Sequence, residues 1–244
     1  MSGKLIKSKH RVQKHGEVFT PNWMVEQILD SPGVKEACED LKSTFLEPSA
    51  GEGSFLSAIL NRKLQMVEEK YSENLVRYEN YSLYALSTIY GIELLEDNAQ
   101  MCVMNLYEVY KEQYFKVAQK FGEVCKKEVN SSAKVIISAN IAQGNFLTKL
   151  KSDGKRIVFS EWKLMNELRK DINTIKVQRT EYSLDDIISG KKNELGSLYK
   201  VPEPLGQIDL FELFEEENKI EKDSVHYVVS KITDVYKEET EHDE

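Results

Sequence analysis

Apolar residues recur at helical spacing along much of this chain. Phe55, Leu56, Ile59 and Leu60 share one face of a helix that opens at Ser54. Met24, Val25, Ile28 and Leu29 form another such face, with Thr20 placed to cap it and Pro21 in the favoured first helical position. From Ala58 to Tyr81 the apolar positions Leu64, Met66, Val67, Tyr71, Leu75 and Tyr78 predict one long polar helix, a lengthened first helix followed by a loop. Short apolar runs between these segments predict strands. Phe45-Leu46 ends at Glu47, Tyr84 to Ile92 ends at Glu93, and Val135-Ile136-Ile137 runs into an unclear boundary at Ser138-Ala139-Asn140. Ala99, Met101, Cys102, Asn105 and Leu106 make a helix-like run after the second strand. Arg156 to Trp162 reads as a strand, Ile175 to Tyr182 alternates as a strand does, and Ser183 opens a short helix that Gly190 stops. Strands and helices that alternate in this way predict an α/β fold.

The segment Phe45-Leu46-Glu47-Pro48-Ser49-Ala50-Gly51-Glu52-Gly53-Ser54-Phe55 carries the most chemistry. A strand ends in an acid, a glycine-containing turn follows, and a helix begins. Gly51 and Gly53 let the backbone turn sharply and let a ligand come close. Ligands of open α/β sheets bind at this end of the strands. A dinucleotide fingerprint would place a third glycine where Leu56 stands. Glu47 and Glu52 disfavour a pyrophosphate and favour a cationic ligand such as S-adenosylmethionine.

This string resembles motif I of class I methyltransferases, in the Glu-Pro-Ser-Ala-Gly-x-Gly-x-Phe form of adenine-specific DNA methyltransferases of bacterial restriction–modification systems. Three more segments fit the resemblance in order. Phe19-Thr20-Pro21 is similar to motif X, which helps to close the cofactor pocket. Gly91-Ile92-Glu93-Leu94 is similar to motif II, whose acid accepts both ribose hydroxyls, although Glu93 follows the glycine turn at a far wider gap than the usual 20 or so residues. Gly144-Asn145-Phe146 is similar to motif III at the adenine, with Asn145 where Asp is usual; Asn donates to a ring nitrogen but offers one carbonyl acceptor. The resemblance covers about residues 15–147. It implies a Rossmann-like three-layer sandwich and S-adenosylmethionine as cofactor. The contacts it carries over are Phe19, Thr20, Glu47, Ser49, Ala50, Gly51, Gly53, Phe55, Glu93, Leu94, Asn145 and Phe146. Glu47, Gly51 and Gly53 would form the methionine pocket, Thr20 would close it, and Glu93 would hold the ribose.

The family's catalytic Asn/Asp-Pro-Pro-Tyr/Phe motif is missing. The five prolines are Pro21, Pro32, Pro48, Pro202 and Pro204, and no two are adjacent. Ser160-Glu161-Trp162 stands near the expected place, but a Trp after an apolar strand is more often core than a base-stacking platform. No catalytic residue is assigned. Three readings follow. The chain is one half of a split or truncated adenine methyltransferase whose partner or specificity subunit supplies the motif and the DNA target. Alternatively it is an inactive relative that binds cofactor or DNA and regulates a partner. The third reading is a methyltransferase for a non-DNA substrate.

Charge divides the chain. Residues 203–244 hold 14 Asp/Glu and four Lys/Arg, a net of −10 against −8 for the whole, which leaves +2 for residues 1–202. Three parts are expected: a basic arm over 1–14, the cofactor-binding domain over 15–200, and a solvated acidic tail over 201–244. Lys4, Lys7, Lys9, Arg11 and Lys14 suit the arm to non-specific phosphate contact as well as to a disordered start. Cys38, Cys102 and Cys125 are too few and too scattered for a disulfide scaffold or zinc site, and the four histidines have no metal-ligand spacing. With no long apolar run, these features predict a cytoplasmic protein without a resident metal.

Overall fold

The structure, a computed structural model, describes residues 8–15, 18, 20–168, 173–200 and 225–242. Elements run in the order α1 (Lys9–His15), α2 (Asn22–Leu29), α3 (Val34–Cys38), β1 (Phe45–Glu47), α4 (Ser54–Tyr71), α5 (Leu75–Leu86), β2 (Ile89–Glu93), α6 (Glu96–Lys120), α7 (Lys127–Asn140) and β3 (Ile141–Gln143). There follow β4 (Val158–Leu164), β5 (Lys176–Ser183), α8 (Leu184–Ser189), β6 (Val225–Tyr227), β7 (Ser230–Lys231), a 3-10 helix (Ile232–Lys237) and β8 (Thr240–His242).

The fold is α/β. β1, β2 and β3 form a parallel sheet in that order, with Leu46 beside Tyr90 and Ile92 beside Ala142. Each crossover carries two helices, as parallel neighbours require a long connection. Phe45, Ile89 and Ile141 face a large core built with α4 to α7. The opposite face, through Tyr90, Ile92 and Ala142, meets Ile157, Phe159 and Leu184. That second flank is the β4–β5 hairpin and α8 rather than a further layer of long helices.

The predicted long helix is two helices. The break falls at Ser72-Glu73-Asn74, where the Asn74 side chain caps α5 by accepting from the Arg77 N–H at 2.9 Å. Residues 77–89 are buried throughout, Arg77, Glu79, Asn80 and Ser82 included, so α5 shows water no polar face over this stretch. Tyr84 belongs to α5, and the second strand is only Ile89–Glu93. Val135-Ile136-Ile137 is helical as well. Val129, Ala133, Ile136, Ile137 and Asn140 bury one face of α7, and this period outweighs the β-branched triplet. The helix α2 starts one residue later than predicted: Pro21 is its N-cap, whose carbonyl accepts from the N–H groups of Met24 and Val25, and Thr20 makes no cap bond among the described residues.

β4 does not join the parallel sheet. It pairs antiparallel with β5 from Val158↔Ser183 to Leu164↔Val177. Trp162 is core, and its indole N–H donates to Asn140 Oδ1 at 3.0 Å. Asn140 Nδ2 donates in turn to the carbonyls of Ser87 and Ile89, at 3.1 and 3.2 Å, so one buried amide joins the two sheets. The predicted strand β5 and the capped helix α8 are present, with Ser183 and Asp186 forming the capping box. The solvated-tail expectation fails for residues 225–242. Ile232 and Val235 are buried, and the Ser132 hydroxyl donates to the Thr233 carbonyl at 2.8 Å. Residues 201–224, where most of the acidic charge lies, are outside the described residues, as are Lys4 and Lys7 of the arm. Residues 9–15 of the arm are helical. No helix among the described residues is long and apolar enough to cross a membrane.

Lys63 on α4 is fully buried, its ammonium donating to the Asp40 carbonyl at 2.8 Å. Burial pulls it down to about 8 from 10.5. The unfolded chain then holds this proton more tightly than the folded one, so the charge penalises folding below pH 8 and the penalty fades up to pH 10.5. Between about pH 7.5 and about pH 9.5, the stability of the wild type relative to Lys63→Met is expected to rise by about 2 kcal/mol, measured by urea unfolding. A constant difference would show that Lys63 is not held near its lowered value.

Candidate functional site

The C-terminal ends of β1, β2 and β3 bring three turns together. After β1, the Ala50 N–H donates to the Ile92 carbonyl at 2.9 Å and the Gly53 N–H to the Ala50 carbonyl at 2.8 Å, which closes the glycine turn against β2. Gly51 and Gly53 both have positive φ, 56° and 85°. A Cβ on Gly53 would lie 2.7 Å from Cys102 Sγ, whereas one on Gly51 would meet nothing within 4 Å. Gly53 is therefore fixed by close packing against α6, and Gly51 by backbone conformation beside open space.

Glu93 joins these turns. Its Oε2 accepts from the Gly51 N–H at 2.8 Å, and its Oε1 from the Leu95 N–H at 2.9 Å. Asn98 Nδ2 lies 3.5 Å from Oε1. The Glu93 carbonyl also accepts from the Gly144 N–H at 2.9 Å, which ties in the turn after β3. Glu93 is only 5% exposed. Its carboxylate is spent on backbone donors, so a ribose would have to share or exchange these bonds.

Glu47 differs. It is half-buried, accepts only a long bond from the Ser49 N–H at 3.3 Å, and pairs with no cation among the described residues. Desolvation raises its carboxyl above the usual range, against the smaller lowering by that bond. A desolvated acid with little compensation favours a cationic ligand. Asn145 gives its Oδ1 to its own loop, accepting from the N–H groups of Leu147 and Thr148 at 2.8 and 3.3 Å. Its Nδ2 makes no hydrogen bond among the described residues and remains a donor.

The other sequence-predicted positions divide. Ser49 and Leu94 are exposed at the strand ends, Thr20 is partly exposed ahead of α2, and Ala50 is buried in the turn. Phe55 packs into the larger core and Phe146 into the smaller one. Both residues remain partly exposed. Phe19 lies outside the described residues. Sequence reasoning missed Asn98, whose buried amide stands between Glu93 and the arm; its place five residues after Glu93, in the first turn of α6, was the available signal.

The free edge of β1 is the other distinctive feature. Phe45 N–H donates to the Thr88 carbonyl, so in this parallel ladder Leu46 turns its own N–H and C=O away from β2. No strand pairs with that edge among the described residues, and Leu46 is 46% exposed. A cleft of about 410 Å³ opens there, walled by Tyr90, Phe159, Tyr182 and Ile187.

No protein-family model, curated protein or solved structure matches the chain. The geometry above therefore carries the functional argument.

Glu47→Gln removes a charge that the fold disfavours. The variant is expected to melt a few degrees above the wild type at pH 7, with the gap shrinking toward pH 4 as the wild-type carboxyl becomes protonated in both states. A variant that melts lower at pH 7 would mean that the carboxylate stabilises the turn.

Proposed function

We propose that the chain is the cofactor-binding part of a Rossmann-like, S-adenosylmethionine-dependent DNA methyltransferase acting on an adenine amino group, in a split form that needs a partner. The observation that carries this reading is the Gly51 N–H bond to Glu93, which sets a glycine turn and a strand-end acid side by side at the C-terminal edge of a parallel sheet.

The residues present fit the ligand. Glu47, desolvated and without a cation among the described residues, suits the ammonium or sulfonium. Gly51 leaves room where a side chain would stand. Glu93 offers the carboxylate for ribose hydroxyls, and the Asn145 amide nitrogen, without a hydrogen bond among the described residues, offers a donor for an adenine ring nitrogen. When bound, the cofactor supplies an activated methyl group on sulfur, so the chain need only bind, orient and exclude water.

Two observations support a partner. The sequence lacks adjacent prolines, so it lacks the motif that would orient a target amino group. The edge of β1 also takes no further strand among the described residues, because β4 turns to pair with β5. The same facts fit an inactive, regulatory relative, and activity decides between the two.

Calorimetry on the purified chain should give micromolar affinity for S-adenosylmethionine, about −8 kcal/mol. Glu93→Gln, which keeps an acceptor for Gly51, should weaken it about tenfold or more, a loss of about 1.4 kcal/mol. The chain alone should leave DNA unmethylated and gain activity only with a partner carrying the Pro-Pro motif. Absence of cofactor binding, or full methylation by the chain alone, would overturn the split reading.

A further inference from the structure

The N-terminal helix is tied to the site by a chain of polar contacts between residues 86 positions apart in sequence. Arg11 on α1 donates from Nη1 to Asp97 Oδ2 at 2.8 Å and from Nη2 to Asp97 Oδ1 at 3.1 Å. This is a two-pronged guanidinium–carboxylate pair, the geometry that most restricts both partners. Nη2 also reaches Asn98 Oδ1 at 3.3 Å. Asn98 is buried, and its amide nitrogen faces Glu93 Oε1 at 3.5 Å. Asp97 and Asn98 belong to the first turn of α6, where Glu96 and Asp97 already complement the positive end of the helix.

We infer that Arg11 is a positioning residue for the Glu93 site, and that docking of α1 is coupled to cofactor binding there. The inference rests on the cofactor reading above. Arg11 holds the β2–α6 turn through Asp97 and orients Asn98, and Asn98 limits how the Glu93 carboxylate can turn. The Arg11 and Asp97 side chains are 24% and 53% exposed, so the pair is partly hydrated and sensitive to salt. A contact of this strength holds the helix without locking it. A ligand that needs Glu93 in this orientation strengthens the docking of α1, and by reciprocity docking strengthens the ligand. Within α1 the side chains of Lys9, His10, Gln13 and Lys14 remain exposed, so Arg11 anchors the helix while its basic neighbours face outward.

The test uses the full chain with Arg11→Ala, Arg11→Lys and Asp97→Asn. Trypsin cleavage after Lys14, followed by mass spectrometry without cofactor, should run about five- to tenfold faster in Arg11→Ala and Asp97→Asn, with Arg11→Lys between them and the wild type. Calorimetry with S-adenosylmethionine should show about fivefold weaker binding in Arg11→Ala at about 50 mM salt. The wild type should approach that weaker value at about 500 mM salt, while Arg11→Ala changes little. Melting temperatures should stay close to the wild type, which separates positioning from a structural role. Equal cleavage rates would overturn the docking contact. Faster cleavage with unchanged, salt-independent affinity would overturn the coupling. If the wild type binds no S-adenosylmethionine, the cofactor reading fails and the coupling with it, while the cleavage rates still decide whether Arg11 anchors the helix.

Discussion

The Glu93 carboxylate is the constraint on which the rest of the site depends. It accepts from Gly51 on one turn and Leu95 on its own, and its backbone carbonyl accepts from Gly144 on a third. A carboxylate so well hidden from water is tolerated only because it is hydrogen-bonded. Removing its oxygens would leave the Gly51 and Leu95 N–H groups unsatisfied and loosen the glycine turn. The sheet beneath is built to hold these donors in place. Gly91 admits Leu56 of α4 close to β2, since a Cβ there would stand 2.7 Å from Leu56 Cδ1, and Gly53 admits Cys102 of α6 in the same way. Close packing of α4 on the strand at Gly91 and of α6 on the turn at Gly53 thus fixes the turn that Glu93 closes.

Two acids at neighbouring strand ends therefore do different work. Glu93 is held by backbone donors and organises the turns. Glu47 is desolvated, has one long hydrogen bond, and is the group with most to gain from a cation. That division fits a site that binds and orients a ligand. It carries no Pro-Pro motif to orient a target amino group, and the edge of β1 beside the aromatic cleft takes no further strand among the described residues.

The glycine turn was legible in the sequence because strand, acid, turn and helix each left a distinct local mark between Phe45 and Ile59. β5 and α8 were legible for the same reason: alternation, a capping serine and a stopping glycine act locally. The failures came where tertiary burial overrode local pattern. From Arg77 onward α5 is buried on every side, and its tyrosines blur the boundary with β2. In α7, three β-branched or apolar residues in a row looked like a strand, although the buried positions spaced along it were helical. The partner of β4 is not named by β4 itself; the exposed Glu161 and Lys163 mark a strand with one open face, which suits antiparallel pairing but does not say with which strand. Over the last 40 or so residues net charge dominates the sequence and says nothing about the few apolar residues, Ile232 and Val235, that insert beside α7. Within the site, the identity of Glu93 was visible, whereas its closure on Gly51 depends on distances that only the fold supplies.

The central claim is that the junction of Gly51 and Glu93 is where the cofactor binds. The most direct measurement is a titration of the isotope-labelled chain with S-adenosylmethionine, following backbone amide resonances. The account predicts saturable shifts concentrated at the amides of Gly51, Leu95 and their neighbours, because those N–H groups share the Glu93 carboxylate with the ligand. Saturable binding that leaves these amides unmoved, or no binding at all, would contradict it.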